Sequence, residues 1–90
     1  MGRSGGRWLE EASDLATQAA VLQHALEVHP VILTKAELLR ELGGREDAFA
    51  ERDAIDRAVR DLGGAGLLHT HSDFAIPTRA ALLFSELRTM

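Results

Sequence analysis

Cysteine is absent from the 90 residues. That removes disulfides, thiolate metal sites and cysteine nucleophiles together, and it fits a reducing cytoplasm, the compartment expected for this chain. Tyrosine is also absent, and aromatic residues make up only 4%. Lysine occurs once, at Lys35, against nine arginines. With abundant Ala and Leu, this bias fits a GC-rich bacterial genome. Cations are outnumbered, and the net charge is −4. Lys and Arg contacts to phosphate supply most nucleic-acid affinity, so the balance argues against strong non-specific DNA or RNA binding and leaves room only for a local basic patch. No apolar run approaches the ~20 residues of a membrane span, so no membrane partner is expected. Two arginines with no apolar core behind them in residues 1–6 predict that no signal peptide is present.

Catalytic patterns are missing too. There is no Ser in a nucleophile-elbow pattern, no phosphate-loop motif and no HExxH. The carboxylates fall mostly within charged helical stretches, and so small a domain has little room for a deep pocket. No enzyme, cofactor or metal is expected.

What is present is 46% apolar residues, enough for one small folded domain with a modest core. Residues 1–6 are rich in Gly and read as a flexible tail, leaving 7–90 as the domain. Trp8, Ala12, Leu15, Ala19, Leu22 and Leu26 recur at helical spacing, which predicts a main helix over 13–28, capped by Ser13, with 7–12 as an extension. Pro30 ends it. Residues 31–33 are β-prone. Thr34-Lys35-Ala36-Glu37 is a capping box, with Leu33 and Leu38 placed as a hydrophobic staple. The helix it opens runs to Leu42 and stops at Gly43-Gly44. A polar connector follows, with Asp47 as candidate N-cap. Ile55, Ala58, Val59 and Leu62 then mark a helix over about 49–62. Gly63-Gly64-Ala65-Gly66 turns the chain; because it follows a helix, it reads as a C-cap and not as a phosphate cradle. Strands at 67–70 and 74–76 pair around a His71-Ser72-Asp73 tip, with Phe74 and Ile76 on the apolar face. Thr78 caps a last helix over 79–88, whose inner side is read as Ala80, Leu83, Phe84 and Leu87. The expected core is Leu15, Leu22, Leu26, Leu38, Leu42, Ile55, Val59, Leu62, Leu67, Phe74 and Ile76.

The order α-β-α-α-β-β-α resembles the winged helix-turn-helix superfamily over about residues 13–88. The resemblance rests on Leu33-Thr34-Lys35-Ala36-Glu37-Leu38-Leu39 at one helix start. It rests also on Ala58-Val59-Arg60-Asp61-Leu62 followed by Gly66-Leu67-Leu68, and on Phe74-Ala75-Ile76-Pro77-Thr78 at the hairpin exit. It implies an α+β fold with a three-helix core and a small antiparallel wing. It further implies a transcription-regulator-like protein that binds DNA as a homodimer. The alternative is a winged helix that docks a protein partner and binds no DNA, because the charge is acidic and the wing tip carries no cation.

The candidate DNA-binding residues are Lys35, Arg40, Arg57, Arg60 and Arg79. Arg57 and Arg60 stand on the helix that reads bases in DNA-binding members, and Arg is the commonest reader of guanine. Against that, Arg52–Asp56, Asp53–Arg57, Asp56–Arg60 and Arg57–Asp61 are all spaced to pair along the helix and neutralise it. Trp8, Leu82 and Phe84 are the apolar residues least explained by one core, and they are the candidate dimer interface. His69, His71 and Asp73 form a sparse constellation. Structural zinc sites take four ligands, so ordinary exposed hairpin residues are the simpler reading.

Overall fold

The computed structural model describes residues 2–42 and 48–90, with side chains described for 14–42 and 52–90. Four helices and three short strands follow the expected order: α1 (Gly2–Val28), β1 (Leu33–Thr34), α2 (Lys35–Leu42), α3 (Ala48–Gly64), β2 (Leu68–His71), β3 (Phe74–Pro77) and α4 (Arg79–Arg88). The strands make one antiparallel sheet in the order β1-β3-β2. The fold is therefore α+β. Among the described residues, no helix is long and apolar enough to cross a membrane.

Helix α1 starts at Gly2, earlier than predicted, so the helix takes in residues 2–12 and Ser13 marks no boundary. Proline is missing from this stretch, and glycine costs a helix only about 1 kcal/mol per residue without ending it. The end comes just before Pro30, as predicted. The inward stripe is Val21 and Ala25, both fully buried, with Leu22 and Val28 packed beside them. Leu15, expected in the core, is 64% exposed, and Leu26 is half-buried. Apolar residues surround α1 on several sides, so periodicity fits more than one face. The face chosen carries the small, fully buried Ala25, and α1 packs chiefly on α3.

The start of α2 is fixed by the predicted capping box. The Thr34 N–H donates to Glu37 Oε1 at 3.0 Å, and the Glu37 N–H donates to Thr34 Oγ1 at 3.2 Å. The Thr34 hydroxyl also donates to Glu37 Oε1 at 2.9 Å. The two bonds that Thr34 donates to the carboxylate, the hydroxyl's first, hold the Glu37 carboxyl below its ordinary value of 4.5. Leu38 is fully buried behind the cap. The Gly43-Gly44 stop and the Asp47 cap fall outside the described residues.

At the far end of α3, the Gly66 N–H donates to Gly63 O at 3.1 Å and the Leu67 N–H donates to Leu62 O at 2.9 Å. This is a Schellman cap. Gly66 carries the left-handed φ of 82° that the cap needs, and its lack of Cβ makes that conformation inexpensive. Leu67 is packed back against the core.

The hairpin is tighter than expected. His71 pairs with Phe74 inside the ladder, so the turn is Ser72-Asp73 alone. Its apolar phase is also opposite to the expected one. Ala75 and Pro77 point inward, while Phe74 is 40% exposed and Ile76 half-buried. Leu68 takes the core position expected for Leu67. The β1–β3 register sets Leu33 against Ala75, and α1 packs on β3, so a small residue suits that inward position. Val31 and Ile32 lie before β1 and are exposed.

Thr78 closes the frame. Its buried hydroxyl donates to Gly66 O at 2.7 Å and accepts from the Ala81 N–H at 3.2 Å. One side chain thus caps α4 and ties it to the turn after α3. The expected inner side of α4 is overturned: Ala81 is buried, whereas Ala80, Leu83, Phe84 and Leu87 face outward. Thr78 fixes the helix's starting direction, and the short Ala81 side chain allows close packing on the sheet.

Candidate functional site

The hydrogen bond that positions the candidate site joins its two edges. The backbone N–H of Lys35, first residue of α2, donates to Asp73 O in the hairpin turn at 2.9 Å. The capping box beneath it fixes the direction of α2, and so Lys35 stands over α3 and the hairpin together.

Between these elements lies an open groove of about 310 Å³, lined by Lys35, Asp56, Val59, Arg60, Thr70 and Ser72. Val59 is the buried floor. Lys35 and Arg60 supply the positive charge, and Thr70 and Ser72 supply hydroxyls. Asp56 stands among them, with its Oδ1 3.9 Å from Lys35 Nζ, and both side chains are roughly two-fifths exposed. Such a pair contributes about 0–1 kcal/mol in water, so an arriving phosphate can compete with the carboxylate for the ammonium. Chemically, the groove offers two cations and two hydroxyls to an anion, with one carboxylate to displace.

The other three sequence-predicted contacts lie elsewhere. Arg57 donates from Nη2 to Asp14 Oδ1 at 3.2 Å, bridging α3 to α1. Arg40 lines a second groove, of about 270 Å³, with His24, Val28, Val31, Ile32 and Glu37. Arg79 is exposed at the start of α4 and lines neither groove.

The expected charge pairs along α3 do not form among the described residues. Asp56 turns to Lys35, Arg57 turns to Asp14, and Asp61 accepts from Gln18 Nε2 at 3.3 Å. Aspartate is short for pairing along a helix, and α1 and α2 flank α3 closely enough to offer nearer partners. His69 and His71 are exposed on the edge strand β2, and among the described residues no three His, Cys, Asp or Glu side chains converge as a metal site would require.

Among the candidate interface residues, Phe84 is 61% exposed and Leu82 half-buried. The Trp8 side chain lies outside the described residues. Sequence reasoning set Asp56 beside Arg60 along α3 but missed its turn to Lys35, and it missed Thr70 and Ser72 as neighbours of the cations.

Comparison with protein-family models, with curated proteins and with solved structures gives no match.

Proposed function

We propose that the chain is a winged-helix domain that binds DNA, as transcription regulators do, through the groove between α2, α3 and the β2–β3 hairpin. Two features support the winged-helix arrangement. The elements follow the order α-β-α-α-β-β-α, and the short β1 joins the hairpin as its third strand. The observation that carries the DNA reading is the convergence of Lys35, Arg60, Thr70 and Ser72 on one groove at the junction of helix and hairpin. In this reading Arg60 reaches a base edge, Lys35 takes a phosphate released from competition with Asp56, and the hairpin hydroxyls contact the backbone. Arg57 lies outside the groove and pairs with Asp14, so this reading does not call on it.

Few free cations mean weak sequence-independent binding, poorer than the ~10⁻⁴–10⁻⁶ M of basic binders at physiological salt. Fluorescence anisotropy against a library of genomic duplexes at low salt tests the proposal. Lys35→Ala and Arg60→Ala together abolish the signal while the melting temperature stays within a few degrees, and Arg57→Ala leaves it largely intact. Binding that survives the double change refutes the groove as the DNA face.

A second reading is favoured by a separate observation. Leu83, Phe84 and Leu87 face outward on α4, an apolar surface that suits protein docking. If no duplex binds even at low salt, a winged-helix interaction module becomes the better account.

A further inference from the structure

Helix α4 turns its small residue inward and its large ones outward. Ala81 is 2% exposed, whereas Leu83, Phe84 and Leu87 are 54%, 61% and 57% exposed. At 100° per residue these three form one stripe with Ala80 between them. Arg79 and Glu86, both exposed, border the stripe on the Leu83 side. They stand two helical turns apart, one toward each end.

We infer that this stripe is the contact face of a two-fold homodimer, in which α4 packs antiparallel on α4 of a second copy, centred between Leu82 and Leu83. Charge complementarity selects the occupant and the register. In that antiparallel arrangement Arg79 meets Glu86 of the partner subunit, and the symmetry repeats the pair with the roles exchanged. A parallel, in-register two-fold carries the Arg79–Glu86 flanks of the two copies to opposite sides of the seam and makes neither pair. An isologous interface needs a self-complementary patch, and this helix face is one.

Area sets the strength. The three apolar side chains expose on the order of 350 Å², within the range of the largest patch on a typical monomer and under half of the ~800 Å² per partner of a stable interface. Flanking surface extends it. Arg88, one turn from Phe84, lines a groove of about 500 Å³ between α1 and α4 whose apolar residues are Ala19, Leu22 and Leu26. So small a seam belongs with weak, transient interfaces, and the dimer is expected to form in the micromolar range. The inference rests on no part of the DNA-binding proposal, since the groove of Lys35 and Arg60 lies on other elements.

Sedimentation velocity over a concentration series, supported by light scattering, tests it. The mass rises from one chain to two across the micromolar range, and Phe84→Asp returns it to one chain without disturbing the far-UV circular dichroism. Arg79→Glu alone and Glu86→Arg alone each weaken dimerisation several-fold, and the two together restore it. A single-chain mass at tens of micromolar overturns the inference, as does a stripe covered only when a different protein is supplied. A dimer indifferent to Phe84→Asp places the interface elsewhere. A dimer lost in Phe84→Asp but unmoved by either charge reversal refutes the antiparallel register.

Discussion

Two leucines that look alike in the sequence fare differently in the fold, and substituting each in turn tests the packing. Leu38 is fully buried at the centre of α2, and Leu15 is 64% exposed on α1. Removing the Leu38 side chain beyond Cβ forfeits about 1.5–3 kcal/mol of transfer free energy. The cavity left behind raises the total to roughly 3 kcal/mol, within the 2–5 typical of buried leucines. A domain of this length holds only about 5–13 kcal/mol in all, so Leu38→Ala removes a large share of its stability. At about 4–8 °C per kcal/mol, the melting temperature falls by roughly 12–24 °C. Leu15→Ala stays within about 0.5 kcal/mol, as surface changes do. Urea unfolding followed at 222 nm gives both values, and the slope should stay constant so that the midpoint alone carries the change. A Leu38→Ala cost under about 1 kcal/mol, or a Leu15→Ala cost comparable to it, refutes the assignment of the α1 and α2 faces.

The Glu37 carboxyl is held below its ordinary value by Thr34, so its contribution is present above pH 4.5 and fades as pH falls through the lower folded value. The stability gap between wild type and Glu37→Gln should therefore be open at neutral pH and close in acid; a gap that widens in acid contradicts the cap. Thr78→Ala strips a partner from both Gly66 O and the Ala81 N–H, and costs about 1–3 kcal/mol in chemical denaturation. Hydrogen exchange at the amides that start α4 should rise with it, and unchanged exchange there would show that the cap does not hold the helix.

How far the sequence could be read depended on whether a feature was local. The Thr34–Glu37 box is contained in four residues, and it forms as expected. The Gly66 turn is nearly as local, because a left-handed residue between Leu62 and Leu67 is what a Schellman cap requires. Faces and partners depend on distant residues. In β3 a strand-period pattern cannot say which phase is inward. Hydrophobicity favoured Phe74 and Ile76, while the β1 register and the packing of α1 selected the smaller Ala75 and Pro77. On α4 the larger residues lost to Ala81 in the same way. The charge pairs of α3 looked local by spacing but were taken by Lys35 on α2 and by Asp14 on α1. For the candidate site, Lys35 and Arg60 were named from the sequence, but their convergence with Thr70 and Ser72 needs the sheet that brings the hairpin to α2.

The measurement that bears most directly on the proposed DNA face is an amide chemical-shift titration of the labelled protein with duplex DNA at low salt. The proposal predicts that shifts concentrate at Lys35, Asp56, Arg60, Thr70 and Ser72 and weaken steeply as salt is added. Shifts centred on α4, or none at millimolar duplex, would contradict it.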